Sequence, residues 1–137
     1  MRNYKDLVVW AKAHNLTLVV YKSTRSFPSE EKFGLTSQMR RASASVAANL
    51  AEGCGRRSDG EMGRFIQIAM GSGAELSYHF LLAHDLGLIQ KTAFEELDSE
   101  LSEVMRMMSA LSEKVRIRPT IVKPDLRVVA KGLRANS

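Results

Sequence analysis

Residues 58–87 read SDGEMGRFIQIAMGSGAELSYHFLLAHDLG, and this stretch decides the fold. Met62, Ile66, Ala69, Gly73, Leu76, Phe80, Ala83 and Gly87 recur at alternating steps of four and three. That is the spacing of a helix with one apolar seam, about 40 Å long at 1.5 Å per residue. Ser58 with Glu61 three residues on forms a capping box that opens the helix. Gly87 supplies its stop. Gly71 and Gly73 each cost about 1 kcal/mol against alanine inside a helix, and the expected compensation is close approach of another helix.

The same periodicity continues on both sides. Downstream, Thr92-Ala93-Phe94-Glu95 reads as another capping box, and Phe94, Leu97, Leu101, Val104, Met108, Leu111 and Val115 alternate three and four. Met105 reads as core filling, whereas Met107 falls outside the seam as an exposed, adaptable contact. Pro119 prevents continuation much beyond Arg118. Upstream, Leu35, Met39, Ala42, Val46 and Leu50 predict a helix from about Leu35 to Glu52. Gly53-Cys54-Gly55 stops it by offering a left-handed position, with Cys54 as a small turn residue. Phe27-Pro28 separates this helix from the first, which runs from about Asp6 to Ser23 with Asn3 as its N-cap. In that first helix Leu7, Ala11, Leu18 and Tyr21 form a stripe interrupted by His14, and Val8, Val9, Trp10, Leu16, Val19 and Val20 occupy other faces. A helix apolar nearly all round is buried on more than one side, most simply by a second subunit.

Short connections force neighbouring helices to run antiparallel. The expected fold class is therefore all-α: an antiparallel up-down four-helix bundle over residues 1–118, then a basic tail over 119–137. In the tail Leu126, Val129, Ala130 and Leu133 have the spacing of a short amphipathic helix.

Composition excludes several classes. The chain has 137 residues, 45% apolar and 26% charged, which suits one globular domain. One cysteine excludes a disulfide framework and a cysteine-based zinc site. The apolar runs are too short to span a membrane, and without a leader-like start the expected location is cytoplasmic. The formal charge of +5 is unevenly placed: residues through Ile117 carry +1 and the remainder +4.

No catalytic set emerges. A carboxylate-bridged di-metal site in a bundle needs Glu-x-x-His on two helices. Here Glu75 and His79 are four apart and no second pair exists. His14, His79 and His84 are read as bundle or helix-face residues, and Cys54 has no neighbouring histidine to activate it. No metal, no cofactor and no enzymatic activity are expected.

The informative feature is a polar stripe on the second helix. Gln38, Arg41, Ser45, Asn49 and Glu52 share one face at the edge of the core. On one reading they satisfy one another and Glu75, fixing helix register. On the other they form a recognition surface with Arg40, Arg56, Arg57 and Arg64. Those arginines, with Arg127 and Lys131 in the tail, are the candidate phosphate contacts.

Together these residues resemble a known family. The pattern is Tyr4-x-x-Leu7-x-x-Trp10, Phe27-Pro28-x-x-Glu31-x-Phe33-Gly34-Leu35, Gln38-x-x-Arg41-Ala42-x-x-Ser45, Asn49-x-Ala51-Glu52-Gly53, Arg56/Arg57-Ser58, Ala69-x-Gly71-Ser72-x-x-Glu75-Leu76 and Asp85-Leu86-Gly87. It resembles the bacterial four-helix bundle proteins encoded in intervening sequences of 23S ribosomal RNA genes, over about residues 4–116. That family is similar to the accessory variability determinant proteins of diversity-generating retroelements. The resemblance implies a ring-like homopentamer without known enzymatic activity. From the retroelement relatives it implies binding of nucleic acid and of a reverse transcriptase. The functional expectation is a non-enzymatic oligomer that binds RNA or DNA through clustered arginines without reading sequence. The alternative is a protein-interaction scaffold that does not touch nucleic acid.

Overall fold

A computed structural model describes residues 3–117. They form four α-helices: α1 (Val8–Ser23), α2 (Leu35–Cys54), α3 (Asp59–Asp85) and α4 (Lys91–Ile117). Single 3-10 turns at Tyr4–Asp6, Thr24–Ser26 and Ser29–Glu31 complete the elements, and the described residues contain no strand. The expected tail, with Arg127 and Lys131, lies outside the described residues.

The seam of residues 62–83 is buried throughout α3, as are Leu35, Met39, Ala42, Val46 and Leu50 on α2 and Leu97, Leu101, Val104, Met108 and Val115 on α4. Ser58 caps α3 as its spacing predicts, its Oγ accepting from the Glu61 N–H at 3.1 Å. Gly87 has φ +76°, the left-handed conformation that ends α3.

The helices meet in a consistent order. Gly63 lies against Val115, the Gln67 side chain donates to Ser112 Oγ at 2.9 Å, and His84 stacks on Phe94. Residue numbers on α4 thus fall as those on α3 rise. The same holds between α2 and α3, through Arg41 with Glu75, Ser45 with Ser72 and Gly53 with Phe65. In consequence, the corner joining α2 to α3 and the last turn of α4 sit at one end of the molecule.

Several expectations are corrected. On α1 the buried positions are Val9, Ala13, Leu16, Thr17 and Val20, while Ala11, Leu18 and Tyr21 face outward. Thr17 is accommodated because its hydroxyl donates to Ala13 O (2.9 Å) or Ser43 O (3.1 Å), which offsets the cost of burying it. His14 is exposed and stacks on Trp10 at 5.0 Å, so it interrupts no core stripe. Asn3 caps the preceding 3-10 turn, accepting from Lys5 N–H, and not α1 itself.

Gly53 and Cys54 lie inside α2, and Gly55 ends it with an ordinary φ of −82°. The left-handed stop expected there is absent. Gly53 serves packing instead: a Cβ would lie 3.1 Å from Phe65 Cβ and 3.4 Å from Met62 O. Gly73 admits Met105 in the same way, but Gly71 faces open space. Helix α4 begins at Lys91, which places Thr92 within the first turn and not at the cap. Met107 is half-buried against the core beside Leu7 and Leu111 and is not fully exposed.

Candidate functional site

Two polar features stand out: a seam between α2 and α3, and an arginine corner at one end. Adjacent residues on a helix point about 100° apart, and this separates Arg40 from Arg41. Arg41 turns toward α3, where its guanidinium bonds Glu75 Oε1 and donates to Gln38 Oε1 at 2.8 Å. Arg40 turns toward α1. Its Nε donates to Thr24 Oγ1 at 2.8 Å, and the guanidinium carbon sits 4.8 Å from the centre of the Tyr21 ring.

Farther along the seam, Asn49 donates to Ser45 O at 2.8 Å and Ser45 Oγ at 3.0 Å, and Ser45 Oγ lies 2.8 Å from Ser72 Oγ. Glu52 closes the row by pairing with Arg56 at 3.4 Å. The structure thus connects Gln38, Arg41 and Glu75 into one group and Ser45, Asn49 and Ser72 into a second. Sequence reasoning named Ser72 in the family pattern but left it out of the polar stripe, although it sits three residues before Glu75 on the same face of α3.

His79 joins the first group. It is buried, its Nε2 lies 3.9 Å from Glu75 Oε1, and its Nδ1 has no partner among the described residues. Burial lowers its pKa below the usual 6.5; the Glu75 carboxylate opposes this and the Arg41 guanidinium adds to it. A depressed histidine pKa means the folded chain binds fewer protons than the unfolded chain. Stability is then intact above about pH 6.5 and falls as pH drops below it. The melting temperature should therefore decline between pH 7.5 and pH 5.5, and His79→Gln should flatten that decline. An unchanged slope in the variant would assign the effect to other groups.

The corner holds the remaining arginines. Arg56 lies with its guanidinium carbon 4.6 Å from the Phe65 ring centre, the stacking expected of a weakly hydrated cation. Arg57 and Arg64 are exposed, and among the described residues their side chains make no hydrogen bond or ion pair. Arg40 is 16 positions before Arg56, about 24 Å along a helix axis, so the four candidate phosphate contacts of the bundle do not form one patch. Three gather at the α2–α3 corner and Arg40 stays with α1.

Among the described residues, no three His, Cys, Asp or Glu side chains come together as a metal-ligand group. No described helix is long and apolar enough to cross a membrane. Among the described residues these features define an all-helical, four-helix fold with a hydrogen-bonded seam between α2 and α3. The chain belongs to the 23S rRNA-intervening sequence protein family, whose model matches residues 5–110. Its fold is similar to that of a crystal structure from Bacteroides thetaiotaomicron, a protein of unknown function from the S23 ribosomal protein family. The TM-score is 0.73 at 20% identity, over 77% of this chain and 96% of that one. No curated protein matches the chain.

Proposed function

We propose that this chain is a non-enzymatic, cytoplasmic subunit of a ring-like homopentamer that binds RNA or DNA without reading its sequence. The observation that carries the binding reading is the arginine corner: Arg57 and Arg64 exposed and without side-chain partners among the described residues, beside Arg56 spread on Phe65. Such groups contact phosphates and release counterions, with a log–log salt slope of about −0.7 per single-strand phosphate neutralised. Repetition around a ring multiplies a small patch.

The order of helix contacts supports an antiparallel up-down subunit. The assembly reading draws on two outward apolar rows. On α1 the row is Val8, Ala11, Leu18 and Tyr21; on α3 it is Ile68, Gly71, Tyr78 and Leu81, with the same steps of three, seven and three. Leu18 is 55% and Tyr78 59% exposed, and each belongs to an outward apolar row, the kind of continuous exposed patch that marks an interaction surface.

The test is a salt titration of binding to a fluorescent single-stranded RNA. Arg56→Glu with Arg57→Glu should weaken binding about tenfold or more at low salt and flatten the salt slope, with helicity unchanged. Equal affinity in that variant would remove the corner from the reading.

An apolar groove between the start of α1 and the end of α4, lined by Leu7, Val8, Met107 and Leu111, supports a second reading. There the bundle docks a partner protein such as a reverse transcriptase. Absence of any RNA or DNA binding at about 50 mM salt, where phosphate contacts are strong, would favour it.

A further inference from the structure

We infer that Phe33 is a stacking platform for a base of single-stranded nucleic acid, set between the cations Lys32 and Arg40. This rests on the binding reading above and adds to it a contact with bases, at the end of α2 opposite the arginine corner.

Among the described residues Phe33 is the most exposed large apolar side chain, at 88%. Its ring belongs to neither core cluster. The Lys32 ammonium lies 5.5 Å from the ring centre, and the rest of the ring faces solvent. The backbone that carries it is held on both sides. Lys32 N–H donates to Ser29 O at 3.1 Å, and Gly34 N–H donates to Glu31 O at 3.0 Å. The Glu31 carboxylate accepts from Leu35 N–H at 2.9 Å. A free ring on a fixed backbone loses little conformational freedom when something covers it.

The surroundings select the partner. Between Ser29 and Gln38 no other apolar side chain is exposed, because Leu35 is buried. Protein interfaces place their aromatic anchors among other apolar groups. One ring among cations suits a nucleobase, which offers a π-face and has a phosphate on either side. From Lys22 to Arg40 the basic residues are Lys22, Arg25, Lys32 and Arg40, against Glu30 and Glu31, an excess of +2. At the corner, by contrast, Arg56, Arg57 and Arg64 are matched by Glu52, Asp59 and Glu61. Arg40 is the candidate that the corner leaves out. It follows Phe33 by seven positions, which is two helical turns and about 10 Å, so it lies on the same side of α2. At about 3.4 Å per stacked nucleotide, about three nucleotides join the two. Its Nε and Nη2 are taken by Thr24 Oγ1 and Tyr21 O, while Nη1 makes no hydrogen bond among the described residues.

Full-length wild type, Phe33→Ala, Phe33→Leu and Phe33→Trp are titrated across a salt series with a fluorescent oligouridylate of about 20 nucleotides and with an RNA duplex of equal length. Melting temperature and light-scattering mass serve as controls for fold and assembly. Stacking predicts that Phe33→Ala and Phe33→Leu each lose about five- to hundredfold in affinity for the single strand, while Phe33→Trp keeps the wild-type affinity. The salt slope should not change, since an uncharged ring releases no counterion. Duplex binding should stay at the wild-type level, because the bases of a duplex are already stacked on one another. The inference is overturned if Phe33→Ala binds the strand as tightly as wild type, or if Phe33→Leu restores what Phe33→Ala loses, the mark of an ordinary apolar contact. A loss of affinity that comes with a changed mass also overturns it, because Phe33 then covers a neighbouring copy. In each of these cases binding at the corner survives. A wild-type protein that binds no strand at about 50 mM salt overturns both readings. Oligothymidylate of equal length separates RNA from DNA as the source of the bases.

Discussion

Leu18→Asp combined with Tyr78→Asp should reduce the particle in light scattering from about 76 kDa, five copies, to the 15.2 kDa of one chain. Both side chains project from the outward rows of α1 and α3 and are more than half exposed. The helices that carry the two rows differ in charge. Helix α1 carries Lys12 and Lys22 and no acid, whereas α3 carries Asp59, Glu61, Glu75 and Asp85 against Arg64. Unlike faces that attract make a head-to-tail contact, and such contacts form a ring when the rotation between subunits closes. Covering a Leu or aromatic side chain contributes about 1.5–3 kcal/mol, and a carboxylate buried there without a partner costs several kcal/mol. The effect should be nearly all-or-none, with helicity retained. A wild-type mass of 15.2 kDa would end the assembly reading. An unchanged mass in the double variant would move the contact to other faces.

Phe80→Ala should give the largest loss of stability. Phe80 is fully buried in a cluster with Met39, Leu76, Ala83, Leu97 and Leu101, which ties α2, α3 and α4 together. Truncating a buried phenylalanine costs about 3–5 kcal/mol, against a total of about 5–15 kcal/mol for a typical domain. At fixed protein concentration the melting temperature should fall by about 10–20 °C. Phe33→Ala is the matched control. Phe33 is 88% exposed with Lys32 over its ring, so the change should stay within about 0.5 kcal/mol. Similar losses in the two variants would contradict this core.

The sequence made α2, α3 and α4 legible because each has one apolar row at steps of three and four and polar residues elsewhere. Helix α1 was not legible in that way. Its apolar residues surround the axis, and the buried row includes Thr17, whose hydroxyl is satisfied by carbonyls on α1 and α2. Periodicity weighs residue type and cannot see a partner 26 positions away. Glycines posed a similar ambiguity. Gly87 is required for its backbone conformation and Gly53 for its missing side chain, yet both stand at the end of an apolar pattern. In the candidate site, the row Gln38, Arg41, Ser45, Asn49 and Glu52 was readable from spacing. What Arg40 meets on α1, and the Phe65 ring beneath Arg56, depend on how helices cross. A linear pattern does not carry that information.

Cys54 has a practical consequence. It is the sole cysteine of the chain and is buried in the last turn of α2, next to the glycine that admits Phe65. A thiol reagent reaches it only when that turn opens. Its labelling rate, set against that of an unfolded peptide, is therefore a clock for local opening at the junction of α2 and α3. The molecule carries this reporter without any added dye or engineered residue. Slowing of the clock by bound oligonucleotide would measure how far occupancy at the arginines tightens the turn beneath them.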